Sequence, residues 1–310
     1  MTGVVLIGGP TASGKSGLAL ALAEDFGGVV INADAMQVYR ELAILTARPG
    51  AEALARAPHR LYGAISIADP WSVGRWRARA LDEIAAARAA GRLAIVTGGS
   101  GLYLRALTQG LAPVPDVPEV IRADAEARRT ALGARAFHAA LAARDPATAA
   151  GLHPGDAQRT VRAWAVIEAT GVPLAEWRRR GQAIVDLGPV LSLVLMPPRA
   201  SLYARCDARL RAMLAAGALD EVAGLDRFAS NRPGMKALGL RDLRAHLAGA
   251  CDLATAIAAA QQATRRYAKR QCTWFRHQMP DAVEIGAEAA DDVLRAATKT
   301  LRRFLLTLAK

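Results

Sequence analysis

Two features near the N-terminus could do chemistry. Gly9, Gly14, Lys15 and Ser16 fit the spacing G-x-x-x-x-G-K-[S/T] inside "VVLIGGPTASGKSGLAL", residues 4–20. Glycines let the backbone bend so that successive N–H groups turn inward, Lys15 adds a point charge, and Ser16 offers an oxygen to Mg²⁺. The run Gly9, Pro10, Thr11, Ala12, Ser13, Gly14, Lys15 and Ser16 is therefore expected to hold a diphosphate or triphosphate, with Ser16 on the metal side. The loop alone does not specify a nucleotide such as ATP. The second feature is Asp34 in "INADAMQVY". A phosphoryl-transferring enzyme needs a further carboxylate, usually closing a later apolar strand, to hold Mg²⁺ or orient water. Here "LAIV" (93–96) runs instead into Thr97, Gly98 and Gly99, which leaves Asp34 as the acid at a suitable strand end. Beside the loop it could accept a proton; it could equally cap the turn that follows.

The elements that must position these groups are legible as alternating patterns. Short apolar runs at 4–9, 28–34, 59–65, 93–99 and 189–196 read as buried parallel strands, and alanine-rich helical patterns at 16–26 and 73–91 lie between them. That alternation predicts an α/β fold, a P-loop NTPase-like parallel sheet whose ligand sits at the carboxyl edge. Between "APVPDVP" (112–118) and "DLGP" (186–189) the pattern is helical only, so an all-helical domain at 116–186 is expected to interrupt a core made of 1–115 and 187–310. After the fifth strand the chain reads as helical to its end.

No apolar run approaches the ~18 residues of a membrane span, and the first strand is broken too early by Gly8, Gly9 and Pro10 to be a signal peptide. A soluble, cytoplasmic protein is expected. Cys206, Cys251 and Cys272 show no zinc or disulfide spacing and read as reduced and structural. Lys and Arg outnumber Asp and Glu by 40 to 28, a net charge of +12, which favours an anionic partner, nucleic acid first, over an acidic membrane; an Arg-rich surface without a partner is the plainer alternative.

Read together and in order, "GPTASGKS" (9–16), "NADAMQVY" (32–39), "LTARP" (45–49), "PHRL" (58–61), "TGGSGLYLRAL" (97–107), "GLHPGDAQRTVRAWAVIEATGVPLAEW" (151–177), "RCDARLRAMLAAGALDEV" (205–222) and "AKRQCTWFR" (268–276) resemble the bacterial tRNA dimethylallyltransferases, or tRNA isopentenyltransferases. The resemblance covers nearly the whole chain. It implies transfer of a dimethylallyl group from dimethylallyl diphosphate to the exocyclic amine of the adenine 3′ of the anticodon, with Mg²⁺, by a monomer whose inserted helices grip the tRNA anticodon stem-loop. It implies Asp34, Thr11 and Arg209 as the catalytic set, Asp34 taking the amine's proton; Arg205 competes with Arg209 for the diphosphate-holding role. The segment Asp34, Ala35, Met36 and Gln37 would read the extruded base, Gln37 through a bidentate amide contact. Ser100, Arg122 and the segment Gln158, Arg159, Thr160, Val161 and Arg162 match tRNA-contacting positions, and Arg159 and Arg162, three apart, would share a helix face.

The C-terminal 261–278 would set Arg266, Lys269, Arg270 and Thr273 on one stripe beside Tyr267 and Trp274, for tracking a nucleic-acid backbone; Trp274 and Phe275 could instead anchor the helix on the core. Against the family pattern, Ala35 replaces a serine, Ser100 a threonine, Leu45 a glycine, Arg48 a lysine and Leu240 a tyrosine. Two other readings share the phosphate loop: a small-molecule or nucleotide kinase, and an RNA-binding ATPase.

Overall fold

Val4–Gly8 (β1), Gly28–Asn32 (β2), His59–Arg60 (β3), Leu93–Gly98 (β4), Val190–Leu195 (β5) and Val283–Ile285 (β6) form one sheet in the order β3-β2-β4-β1-β5-β6, with every pairing parallel. The computed structural model describes residues 3–181 and 184–308. Strand side chains alternate between two cores. Val4, Leu6, Val29, Ile31, Ala94 and Val96 enter one; Val5, Ile7, Val30, Leu93 and Ile95 enter the other. Both faces are covered, which is why these strands read as continuous apolar runs rather than alternating ones. The helices Val73–Ala89 and Leu253–Gln278 bury Trp76 and Phe275 on the first face; Lys15–Asp25 and Ala290–Leu308 bury Leu18, Leu22, Val293 and Leu301 on the second.

Two strand expectations need correction. The chain is not helical to its end after β5, because β6 pairs Leu193 with Val283 and Leu195 with Ile285 at the sheet edge. Only Ile285 of β6 is buried, so it lacks the apolar run that marks a central strand. The strand expected over 59–65 keeps its ladder only at His59–Arg60. Leu61 turns to φ 64, and Ile65 returns in an isolated bridge with Tyr39.

The chain divides into two compact units, Met1–Thr108 with Asp186–Lys310, and Gln109–Val185. The second starts at Gln109 and so includes the Pro-rich 112–118 stretch. It is helical: Glu119–Arg144, turned at Gly133 (φ 77), then Pro146–Ala150, Ala157–Thr170 and Leu174–Arg179, around a core of Phe137, Leu141, Trp164 and Val166. The buried Asp145 ties three of these helices, accepting from Thr148 N at 3.0 Å and Ala175 N at 3.2 Å as its helix ends. Among the described residues no helix is long and apolar enough to cross a membrane, and all three cysteines are free.

Candidate active site

Register brings the carboxyl ends of β1, β2 and β4 level: Gly8 pairs with Gly98, and Asn32 with Thr97. The approach is so close that a Cβ on Gly98 would run into the Ala33 carbonyl. The phosphate loop leaves β1 here, and Asp34 follows β2 beside it. Gly14, in the left-handed region at φ 94, starts the helix Lys15–Asp25 with no side-chain cap, leaving its first-turn N–H groups for a ligand. Residues of the loop, with Asp34, Gln37, Tyr62, Gly98, Arg205 and Arg209, line a pocket of about 360 Å³.

Lys15 Nζ donates to Pro10 O at 2.6 Å and to Ser13 Oγ at 3.5 Å. Burial lowers its pKa to about 8, against the opposing pull of the Asp34 charge. Ser13 is itself buried, so its side chain supports Lys15 and only its backbone is left to face a ligand. Ser16 is exposed and its hydroxyl has no hydrogen-bond partner among the described residues. Arg209, on the helix Arg199–Ala215, donates to Thr11 Oγ1, and burial lowers the pKa of its guanidinium. Arg205, one turn earlier, spends a guanidinium N–H on Glu288 O at 2.7 Å while still lining the pocket. Thr11 and Arg209 are thus joined at the loop, and Arg205 is tethered elsewhere.

Asp34 caps the turn that follows it and keeps one carboxylate oxygen unpaired. Its Oδ1 accepts from Met36 N at 2.8 Å and Gln37 N at 3.4 Å, capping the turn, while Oδ2 has no hydrogen-bond partner among the described residues. The remaining expected base-reading residues are corrected in part. Gln37 spends both amide hydrogens on Thr46 O at 2.9 Å and Ala47 O at 3.0 Å, so only its Oε1 is left for a ligand and a bidentate contact is not available in this arrangement. Ser100 Oγ accepts from Ala35 N at 2.8 Å and so fixes the Asp34 turn. Ala35 and Met36 are half-buried and pack against the core.

Three positioning residues were not singled out from the sequence. Asn32, fully buried, accepts from Asp34 N at 2.8 Å and donates to Asp34 O at 3.0 Å and Leu61 O at 3.1 Å. Gln271, on Leu253–Gln278, accepts from Thr11 N at 2.8 Å and donates to Gly99 O at 2.8 Å, joining the phosphate loop to the end of β4. Glu221 accepts from the N–H groups of Ala43, Ile44 and Leu45 at 2.7–2.8 Å and so anchors the segment whose carbonyls hold Gln37. A polar residue within an otherwise buried stripe was the available signal for Gln271, which falls between Ala268 and Phe275 on the inward face. Gln271→Ala is expected to cost about 1–3 kcal/mol for each backbone group left unpaired. Chemical denaturation reads this directly, and an unchanged midpoint and slope would remove the clamp from the account.

In the helical unit, Gln158, Arg159 and Arg162 are exposed along Ala157–Thr170, with Arg159 Nε 3.5 Å from Asp156. Thr160 and Val161 are corrected: both are buried, Thr160 bonding Asp156 O at 2.7 Å and Val161 packing in the core, so neither side chain can meet RNA. Arg122 pairs with Glu119. On Leu253–Gln278, Arg266, Lys269, Arg270 and Thr273 are exposed on one stripe, whereas Phe275 is buried and Trp274 packs against the core, so these two aromatics anchor the helix.

No group of three or more His, Cys, Asp or Glu residues that could hold a metal occurs among the described residues. The donor chemistry nevertheless fits Mg²⁺ arriving with a diphosphate, since that ion typically takes one or two protein oxygens and fills its shell from phosphate and water.

A parallel sheet carrying a phosphate loop, with a carboxylate oxygen left unpaired in the same pocket, defines a P-loop-type α/β enzyme. The chain belongs to the IPP transferase family, whose model matches residues 37–278. That range excludes the phosphate loop, but a relative aligned over 99% of the chain extends across it. The tRNA dimethylallyltransferase of Paramagnetospirillum magneticum is 51% identical, covering 99% of this chain and 98% of its own, and that of Rhodospirillum centenum is 56% identical, covering 90% of each. Among solved structures, the tRNA isopentenylpyrophosphate transferase of Bacillus halodurans superposes with a TM-score of 0.70 at 30% identity, over 98% of this chain and 97% of that one. A eukaryotic dimethylallyltransferase acting on tRNA gives 0.78 at 25% identity, over 92% of this chain and 74% of that one.

Proposed function

We propose that this chain transfers the dimethylallyl group of dimethylallyl diphosphate to N6 of the adenosine 3′-adjacent to the anticodon of tRNA, releasing diphosphate. The observation that carries the reading is the unpaired Asp34 Oδ2 in the same pocket as Lys15 and the Thr11–Arg209 pair. The N6 lone pair of adenine is delocalised into the ring, so the amine becomes acidic only as its bond to carbon forms. N6 attacks the allylic carbon, the bond from that carbon to the bridging oxygen breaks, and the N6 proton passes to Asp34 Oδ2. Negative charge then grows on the departing diphosphate, where Lys15, the Thr11 hydroxyl backed by Arg209, and the loop N–H groups receive it.

Ser16, with the diphosphate oxygens, would hold Mg²⁺, which supplies further screening of that charge. Gln37, its NH₂ locked on the 46–47 backbone, presents Oε1 as a fixed acceptor for the extruded base. Gln158, Arg159, Arg162 and the Arg266–Thr273 stripe would meet tRNA phosphates. The reading takes the chain to act as a monomer, and a tRNA substrate supports work in the cytoplasm.

Incubating the protein with dimethylallyl diphosphate and tRNA, and separately with ATP, tests this against a kinase or an RNA-dependent ATPase. Prenylated tRNA in the first reaction is the expected result; ATP turnover without prenylation would overturn the proposal.

A further inference from the structure

Two cavities adjoin beside the phosphate site. One is the 360 Å³ pocket that holds the assigned groups. The other is a groove of about 720 Å³ walled largely by Ile44, Pro49, Leu54, Ala212, Met213 and Ala216. The two share Ala47, Tyr62 and Arg209 as wall residues. Arg209 is tied to Thr11 of the phosphate loop, and the Ala47 carbonyl holds Gln37, so each is fixed in the wall by an assigned residue.

Tyr62 differs from these. It is half-buried, its ring stands edge-on to His59 at 5.5 Å, and its hydroxyl has no hydrogen-bond partner among the described residues. Burial, reinforced by the nearby Asp34 carboxylate, raises the pKa of the phenol, so it stands neutral in the wall. The backbone that aims it is strained and latched. Leu61 sits at φ 64, and its carbonyl accepts from Asn32 Nδ2, the same side chain that holds Asp34. Non-glycine residues with positive φ occur at three described positions: Ala12 in the loop, Ala47 in the shared wall, and Leu61 directly before Tyr62. Strain of this kind survives where the surroundings over-determine it, and it gathers at sites that hold ligands.

We propose that Tyr62 is a specificity-determining residue that limits the length of the donor's prenyl chain, its ring closing the phosphate pocket off from the apolar groove. The inference rests on the prenyl-transfer reading and goes one step further, to which allylic diphosphates are accepted. With the diphosphate on Lys15 and the reacting carbon toward Asp34, a five-carbon tail stays within the pocket. A ten-carbon geranyl tail must pass the ring, and packed walls yield poorly to added volume. Removing the ring joins the two cavities and gives the extra carbons an apolar lining.

The test compares kcat/KM for dimethylallyl and geranyl diphosphate with one tRNA substrate in the full chain and its variants. Tyr62→Ala is expected to raise the geranyl-to-dimethylallyl ratio by about tenfold or more. Tyr62→Phe, which keeps the ring, retains the wild-type ratio, and adding Ala216→Trp to Tyr62→Ala refills the groove and lowers the ratio again. Tyr62→Val keeps part of the packing and gives the same readout, with a smaller rise, if the alanine variant folds poorly. A ratio unchanged from wild type in the Ala or Val variant, measured while dimethylallyl transfer persists, would overturn the proposal, as would equal use of both donors by the wild type. No transfer from either donor by the wild type would overturn the prenyl-transfer reading, and this inference with it.

Discussion

Asp34→Asn is expected to slow single-turnover transfer by about two orders of magnitude or more while leaving tRNA affinity nearly intact. Asparagine is the more informative replacement because of what each carboxylate oxygen does. An amide oxygen in place of Oδ1 can still accept from Met36 N and Gln37 N, so the turn that carries Gln37 keeps its cap. The group in place of Oδ2 becomes an NH₂, which cannot take the N6 proton. Alanine would remove the cap as well, at a cost of about 0.5–2 kcal/mol, and would mix a structural loss with the chemical one. An unchanged single-turnover rate in Asp34→Asn would show that the proton leaves by another route.

Lys15→Ala should impair both donor binding and the chemical step, because the ammonium meets the diphosphate before and during departure of the leaving group. The loss in kcat/KM for the donor should be at least as large as that for Asp34→Asn, with KM rising as well as kcat falling. The shifted pKa adds a second signature. Burial lowers Lys15 to about 8, so in the free enzyme its charge is present below that pH and is lost as pH rises through it. Donor kcat/KM should therefore fall above pH 8 by roughly tenfold per unit. Lys15→Arg, which keeps its charge throughout, should lose this alkaline limb even if its longer, forked head lowers the plateau. Normal catalysis by Lys15→Ala, or a flat profile through pH 8–10 in the wild type, would contradict the role given to the loop.

What the sequence revealed follows from which contacts are local. The phosphate loop is a run of neighbours, and the strands β1, β2, β4 and β5 are buried on both faces, so each carried its signal within a few residues. Asp34 was legible because it lies just past the end of β2; its Oδ1 caps the following turn, and its Oδ2 has no partner among the described residues. Gln271 was not, since its partners Thr11 and Gly99 lie 260 and 172 positions away. Glu221 reaches back across more than 170 positions to Ala43, Ile44 and Leu45 for the same reason.

Motif matching also assigned whole segments where the fold uses alternate residues. In 158–162 the helix turns Thr160 and Val161 inward and leaves Gln158, Arg159 and Arg162 outside, a division that 3.6 residues per turn requires but a matched string does not show. The resemblance assigns Gln37 to the base; its amide hydrogens are engaged by the Thr46 and Ala47 carbonyls, next to the segment that Glu221 holds. The edge strand β6 escaped notice because just one of its residues is buried.

The central claim is that a prenyl group ends on an adenosine of tRNA, and nucleoside analysis tests it most directly. Unmodified tRNA incubated with the full chain, Mg²⁺ and dimethylallyl diphosphate would be digested and its nucleosides resolved by mass spectrometry. The prediction is an adenosine carrying one added five-carbon prenyl group, mapped to the position 3′ of the anticodon, with an equal amount of diphosphate released. Recovery of unmodified adenosine alone, from tRNA that the protein demonstrably binds, would contradict it.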